Sequence, residues 1–281
     1  MGNYADKLRG QDIVLVGAST GIGYGAAAAL ADVGAKVTII SSSRSKTDAA
    51  LKRLNSPDAK GVVADVRDEE GFTKTLQSLA PIDHLVFSAV DNIIRGKLED
   101  LSLDDAKHLF GVKFWGAVIA GKALLKYDIV RPGGSLTLTS GTVGLNPGKG
   151  AAVGGALNGG ILTLTKGLAI DLAAKKIRVN TVVPGIVKTE LWDKLGKSIE
   201  EQKEMVYQAS QSLPVGFVAT PEHIAEAYLY TIRADYATGT LITIGKSQQL
   251  CFCGHRDDFV WYHDLHVLDV ALKPQRLKKI E

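Results

Sequence analysis

Val14–Leu30 reads VLVGASTGIGYGAAAAL, and this stretch decides the fold. An apolar strand runs into a glycine turn, and the turn runs into an alanine-rich helix. Gly17, Gly21 and Gly23 are spaced G-x3-G-x-G. The first glycine permits the tight turn, the second lets the backbone approach a pyrophosphate, and the third lets the helix pack close to the strand. The helix N-terminus offers unpaired N–H groups and a partial positive charge, which suit phosphates. Ser19, Thr20 and Ile22 complete that turn. The stretch is read as the phosphate-binding turn of a dinucleotide site.

Outward from this turn, short β-branched runs alternate with longer helical stretches. Strands are expected at Asp12–Val16, Lys36–Ile40, Gly61–Ala64, His84–Phe87, Ser135–Thr139, Arg178–Val183 and Thr240–Ile244. Runs such as DIVLV and HLVF are apolar on both faces, as buried parallel strands are. Helices are expected at Ile22–Val33, Asp68–Leu79, Leu103–Tyr127, Gly155–Ala174 and Pro221–Arg233. The alternation predicts an α/β fold, a single Rossmann-like doubly wound parallel sheet of about seven strands with helices on both faces. Residues 1–250 read as one dinucleotide-binding domain, with 188–213 as a helical flap over the carboxyl edge of the sheet. Residues 251–281 read as an aromatic-bearing extension that packs on the domain or on a partner subunit.

Composition narrows the function. The chain has 281 residues, 46% hydrophobic and 22% charged, which is ordinary for a globular protein. Its net charge is +3, with Lys and Arg scattered, so a nucleic-acid role is not expected. Cys251 and Cys253 make no disulfide framework, and no second ligand pair completes a metal site. The opening MGNYADKLRG lacks the apolar core of a secretory leader. No apolar run reads as a membrane span, and a cytoplasmic protein with a small-molecule substrate is expected.

The end of the second strand should meet the adenosine ribose. A carboxylate there would accept from the 2′-OH of NAD and repel a 2′-phosphate. This chain has IISSSRSK at 39–46 instead. Ser42, Ser43 and Arg44 supply hydroxyls and a guanidinium, which favour NADP(H) over NAD(H). Asp65, after the third strand, is placed for the adenine amino group or for the N-cap of the next helix.

Six motifs then carry a family resemblance over roughly residues 8–245. They are GASTGIG at 17–23, Asp65–Val66, LTLTSG at 136–141, LTKGLAIDLA at 164–173, IRVNTVVPGIVKTEL at 177–191 and TGTLITIG at 238–245. Together they resemble the short-chain dehydrogenase/reductase family. The resemblance implies that Pro184–Gly185 shapes the loop under the nicotinamide. It further implies that Ile186 meets the carboxamide, that Thr189 meets the diphosphate, and that Ser88 and Ala89 stand where the family has Asn-Ala-Gly. Family members are dimers or tetramers, so a homodimer or homotetramer is expected.

The catalytic set departs from the pattern. The family uses a serine to polarise the substrate carbonyl, a tyrosine to donate the proton, a lysine to lower the tyrosine pKa and an asparagine to hold a relay water. Ser140 matches the serine. Anchoring on LTKGLAIDLA puts Gly154 at the tyrosine and Asn158 at the lysine, and the helix asparagine falls at Lys113 in GVKFWG. No tyrosine occurs between Tyr127 and Tyr207, so no shift of alignment restores the acid. Ser140, Lys113 and Asn158 are therefore the catalytic candidates. Lys113 would act as acid or oxyanion partner, Asn158 would bond a ribose hydroxyl, and Lys149 is a second candidate donor. Thr142, Gly154 and Trp192 are candidate substrate-pocket residues.

This pattern resembles a divergent branch seen in fungal specialised metabolism, of the malbrancheamide and paraherquamide reductase/Diels–Alderase type. Such proteins lack the tyrosine and lysine, use NADPH and template a cyclisation. The expected function is reduction of an imine, iminium or activated carbonyl in a bulky small molecule. The alternatives are a non-redox cyclase or isomerase on the same scaffold, or a non-catalytic NADP-binding protein.

Overall fold

The structure, a computed structural model, describes residues 6–245. The 251–281 extension and both cysteines lie outside the described residues. Seven strands form one parallel sheet: β1 (Asp12–Val16), β2 (Lys36–Ser41), β3 (Lys60–Val63), β4 (Ile82–Phe87), β5 (Val130–Thr139), β6 (Arg178–Pro184) and β7 (Leu241–Ile244). Their order is β3-β2-β1-β4-β5-β6-β7, so the chain reverses direction of winding between β1 and β4. In such sheets ligands bind at the carboxyl ends of the strands beside that switch point.

Alternation along the strands sends side chains into two cores. On one face Val14, Val16, Leu85, Phe87, Leu136 and Leu138 pack against Phe72 and Leu76 of α3 (Glu69–Leu79), Ala117 and Leu124 of α5 (Gly116–Lys126), and Ile161 and Leu168 of α6 (Ala152–Asp171). On the other, Ile13, Leu15, Val37, Ile39 and Val86 pack against Ala26 and Leu30 of α1 (Gly21–Asp32) and Ile224, Tyr228 and Ile232 of α8 (Pro221–Arg233). Each such aliphatic side chain, taken fully from water, contributes ~1.5–3 kcal/mol.

Two elements differ from the sequence expectation. Residues after β2 form a helix, α2 (Arg44–Leu54), capped by Ser43, whose hydroxyl accepts from Lys46 N–H. The expected single helix 103–127 is three pieces: α4 (Leu103–Leu109), a π-helical turn Phe110–Trp115, and α5. A π turn inserts an extra residue into the helical repeat and is a common feature of functional sites. Here it accommodates three rings, with Phe110 and Phe114 6.1 Å apart and Phe114 and Trp115 5.3 Å apart. Gly116 follows it, and a Cβ there would come within 2.8 Å of the Phe87 ring, so the helix rests directly on the sheet. The Leu103–Lys126 run has a mean hydropathy of 1.2, enough by composition to cross a membrane, but over half of that window is buried inside this fold.

Candidate active site

A cavity of about 1030 Å³ opens at the carboxyl ends of the central strands. Its volume slightly exceeds the ~300–1,000 Å³ usual for one ligand, so it has room for two molecules side by side. Gly17, Ser19, Thr20, Gly21, Ile22 and Gly23 form one wall. Gly17 has φ +78, and a Cβ there would lie 2.4 Å from Ala89 Cα; a Cβ at Gly23 would lie 2.5 Å from the Gly17 carbonyl oxygen. The turn and the helix therefore approach as closely as glycine alone allows. Thr20 at the N-cap of α1 makes no side-chain cap bond, and the first turn has no acid. A helix start facing a cavity, with no acid of its own in the first turn, fits a phosphate group.

Val66, Ser88, Ala89, Pro184, Gly185, Ile186 and Thr189 also line this cavity, as do Ser42 and Asp65. The Asp65 carboxylate is held by Arg67, with Nη2 at 2.7 Å, and this bond lowers its pKa. It does not cap the next helix, which is capped by Asp68 through Gly71 N–H. Ser43 and Arg44 stand outside the wall: Ser43 is spent as a cap, and Arg44 faces Asp48 at 3.8 Å. Two positions further along α2, Lys46 lines the cavity together with Ser41. The sequence reading missed Lys46 because it placed no helix after β2.

The substrate side is built from three elements. Ser140 directly follows β5, Lys113 projects from the π turn, and Gly154 and Asn158 lie one turn apart on α6. Lys113 Nζ donates to Asn158 Oδ1 at 2.8 Å and to the Ser140 carbonyl at 3.3 Å. Asn158 Nδ2 donates to the Gly154 carbonyl at 2.8 Å, which fixes the amide with its oxygen toward the lysine. The Ser140 hydroxyl donates to the Asn158 carbonyl at 2.8 Å. Its single proton is thus engaged within the protein.

Lys113 is buried, and among the described residues no carboxylate pairs with it. Burial pushes its pKa down from 10.5 to about 8. Lys149 is exposed and outside the cavity wall. Tyr228, on α8, is fully buried with its hydroxyl 2.6 Å from Thr139 Oγ1. Burial pushes that phenol up to about 12, and it does not line the cavity, so it is no replacement acid.

The remaining wall mixes an apolar patch with polar and charged residues, among them Asp91, Asn92, Lys194 and Gln208. Thr142, Gly154 and Trp192 line it, with Ile94, Val143, Leu157 and Leu213. Residues 188–213 run through a 3₁₀ turn, Glu190–Leu195, into α7 (Ile199–Ser212), whose Met205 and Ala209 face the cavity. Trp192 and Leu213 pack with Val218 in a small separate core. A Cβ on Gly154 would lie 3.1 Å from the Ile94 carbonyl, so the loop after β4 occupies much of the space above it.

Comparison with known proteins agrees with this geometry. Residues 4–250 match the model of an SDR-like Rossmann domain. The short-chain dehydrogenase/reductase malC of Malbranchea aurantiaca is 31% identical over 252 residues, 84% of this chain and 94% of the relative. The short-chain dehydrogenase/reductase fsr5 of Gibberella fujikuroi is 30% identical over 256 residues, 86% and 96% of the two chains. Among solved structures, the MalC reductase/Diels–Alderase superposes with a TM-score of 0.78 at 30% identity, covering 88% of this chain and all of that one. A small-chain dehydrogenase in complex with NADPH gives a TM-score of 0.69 at 32% identity, covering 85% and 99%.

Proposed function

This chain belongs to the short-chain dehydrogenase/reductase family, and from that premise we propose an NADP(H)-dependent reductase of a bulky, largely apolar small molecule with a neutral carbonyl or imine. It is an oxidoreductase of that family, and the fold binds a nicotinamide cofactor. What is proposed is the choice of cofactor, the reacting group and the proton source. The observation that carries it is the buried Lys113 ammonium, unpaired with any described carboxylate, on the cavity wall.

The glycine turn and Thr189 would hold the diphosphate, and Ile186 the nicotinamide end. NADP(H) is supported by Ser41, Ser42 and Lys46 on the wall at the end of β2, with no acid in 39–46. The similar dehydrogenase in complex with NADPH supports the same choice. When bound, the cofactor supplies the hydride.

The chain's own residues then manage charge and proton. Two of the three Lys113 N–H bonds are held by Asn158 and Ser140, which aims the amine and leaves one donor for a substrate oxygen or nitrogen. With a pKa of about 8 the amine is mostly protonated at neutral pH yet acidic enough to release its proton as the anion develops. A fixed cation there repels a preformed iminium, so the neutral electrophile is favoured. Ser140 acts as a positioning residue, since its proton is given to Asn158. Trp192, Met205 and Leu213 supply an apolar wall for a large substrate.

A second reading, a cyclase on the same scaffold, draws support from the likeness to the MalC reductase/Diels–Alderase. Mixing the protein with NADPH and a panel of ketones and imines, and following absorbance at 340 nm, separates the two. NADPH consumption supports reduction, and cyclised product without it supports the second reading. Self-association is also proposed, on the apolar surface left by exposed Trp115, Leu125 and Ile170; light scattering after chromatography tests it.

A further inference from the structure

The start of α1 already holds an anion. Gly21 N–H donates to Glu190 Oε2 at 3.0 Å, although the two residues lie 169 positions apart. The other oxygen, Oε1, lies 3.6 Å from Arg53 Nη1. Arg53 is itself anchored, with its guanidinium 3.6 Å above the Tyr24 ring of α1. Glu190 therefore bridges a backbone donor of the phosphate turn and a fixed cation, and both Gly21 and Glu190 line the cavity.

We infer that Glu190 is a resident anion of the phosphate turn, which competes with the diphosphate of the dinucleotide and is displaced onto Arg53 when it binds. The inference rests on the dinucleotide reading of that turn. The Gly21 N–H can serve the carboxylate or a phosphate oxygen, but not both well. A carboxylate left beside a diphosphate is also repelled by it. Arg53 gives the displaced carboxylate a place to go, because Oε1 already faces it. The residue thus holds down cofactor affinity and eases release. It also opens the 3₁₀ turn that carries Trp192, so the displaced residue adjoins the substrate wall.

The test is NADPH binding to the full chain, by fluorescence titration, in wild type and Glu190→Gln. Glutamine keeps an acceptor for Gly21 N–H and removes the charge. The dissociation constant should fall about three- to tenfold at low salt, the effect of one anion at a helix start plus relief of like-charge repulsion. High salt should shrink the gain, because Glu190 is about half exposed. Adenosine 2′-monophosphate, which has no diphosphate, should bind both proteins equally. Arg53→Gln should weaken NADPH binding in wild type and change nothing in the Glu190→Gln background. Unchanged or weaker NADPH binding by Glu190→Gln, or an equal gain for adenosine 2′-monophosphate, overturns the inference alone. Should Glu190→Gln fold poorly, Glu190→Ala at the same salt reads the same way. A wild type that binds neither NADPH nor NADH overturns the cofactor reading together with it.

Discussion

Replacing Lys113 with methionine should make the protein more stable and less active at once. Burial holds the Lys113 pKa at about 8 against 10.5 for the free side chain. At about 1.36 kcal/mol per unit, folding the charged amine costs about 3 kcal/mol relative to folding the neutral one. Methionine removes that cost but takes a donor from Asn158 Oδ1 and from the Ser140 carbonyl. Each lost bond costs about 1 kcal/mol, which leaves a net gain of about 1 kcal/mol. For a domain of this size that raises Tm by ~2–4 °C at pH 7.

The pH dependence is the sharper readout. Between about 8 and 10.5 the unfolded chain keeps the lysine proton and the folded chain has released it, so wild-type stability rises with pH across that window. The methionine variant has no such rise, and by pH 10.5 the wild type should be the more stable protein. Turnover of a ketone substrate should fall about 10²–10⁴-fold in the variant, the usual worth of a positioned acid. The wild-type kcat/KM should decline as pH passes about 8, and the variant should stay flat there. Thermal melts from pH 6.5 to 10.5, paired with NADPH oxidation rates, measure both. A stability gap that does not change with pH, or a variant with wild-type turnover, refutes the buried acid.

Four further outcomes follow from the same geometry. Asn158→Asp sets a carboxylate where the amide oxygen stands 2.8 Å from Lys113 Nζ, so the high-pH limb of kcat/KM should move up by about one unit or more; an unmoved limb detaches it from Lys113. Gly23→Ala forces a methyl to 2.5 Å from the Gly17 carbonyl oxygen, and NADPH affinity should drop at least about tenfold in a titration. His84 lies between Ser135 Oγ and Gln11 Oε1, each at 2.8 Å, and burial, aided by the Arg178 charge, lowers its pKa from 6.5 to about 4. The unfolded state binds more protons between those values, so wild type should lose about 3 kcal/mol on acidification through that window, and His84→Gln should not, as acid melts will report. Asn158→Lys alone should be strongly destabilising because two ammonium groups would touch, whereas Lys113→Asn/Asn158→Lys should recover most of the Tm; a double variant as unstable as the sum of its parts denies the coupling.

The cofactor end was legible because its information is local. Gly17, Gly21 and Gly23 follow a strand and open a helix within one short stretch; Gly17 and Gly23 each answer to one close approach, and Gly21 to a positive φ of +57. The exception, Ser43 and Arg44, shows the limit: the serine that reads as a phosphate ligand is equally a helix cap, and here α2 begins. Lys46 then comes to the wall through helical geometry that a reading with no helix after β2 does not contain. The substrate end was legible as a set of names, Ser140, Lys113 and Asn158, without their relations. Those relations depend on a π turn that no periodicity in FGVKFWG announces, and on a flap whose Met205 and Trp192 meet the cavity only in three dimensions. Glu190 was invisible for the same reason, since its partner Gly21 lies 169 residues away.

Taken singly, the two departures at 113 and 158 read as losses: an asparagine replaced by lysine on one helix, and a lysine replaced by asparagine on another. Their contact changes that reading. Lys113 Nζ donates to Asn158 Oδ1 at 2.8 Å, so an ammonium and an amide face one another here, and the resemblance implies the two residue types with their elements exchanged. Lysine at both positions would bury two cations together at a cost in stability, and asparagine at both would remove the proposed acid. The exchange keeps one cation and one amide while moving the charge from α6 to the π turn. A cation on α6 serves to lower the pKa of a neighbouring phenol, and with glycine at 154 there is no phenol to serve. On the π turn the amine stands beside Ser140 and lines the cavity, so under the proposed function it meets the reacting atom with no phenol between them. The proposed acid therefore stands on the π turn, and the loop after β4, whose Ile94 carbonyl would lie 3.1 Å from a Cβ on Gly154, occupies the place where the resemblance puts a tyrosine.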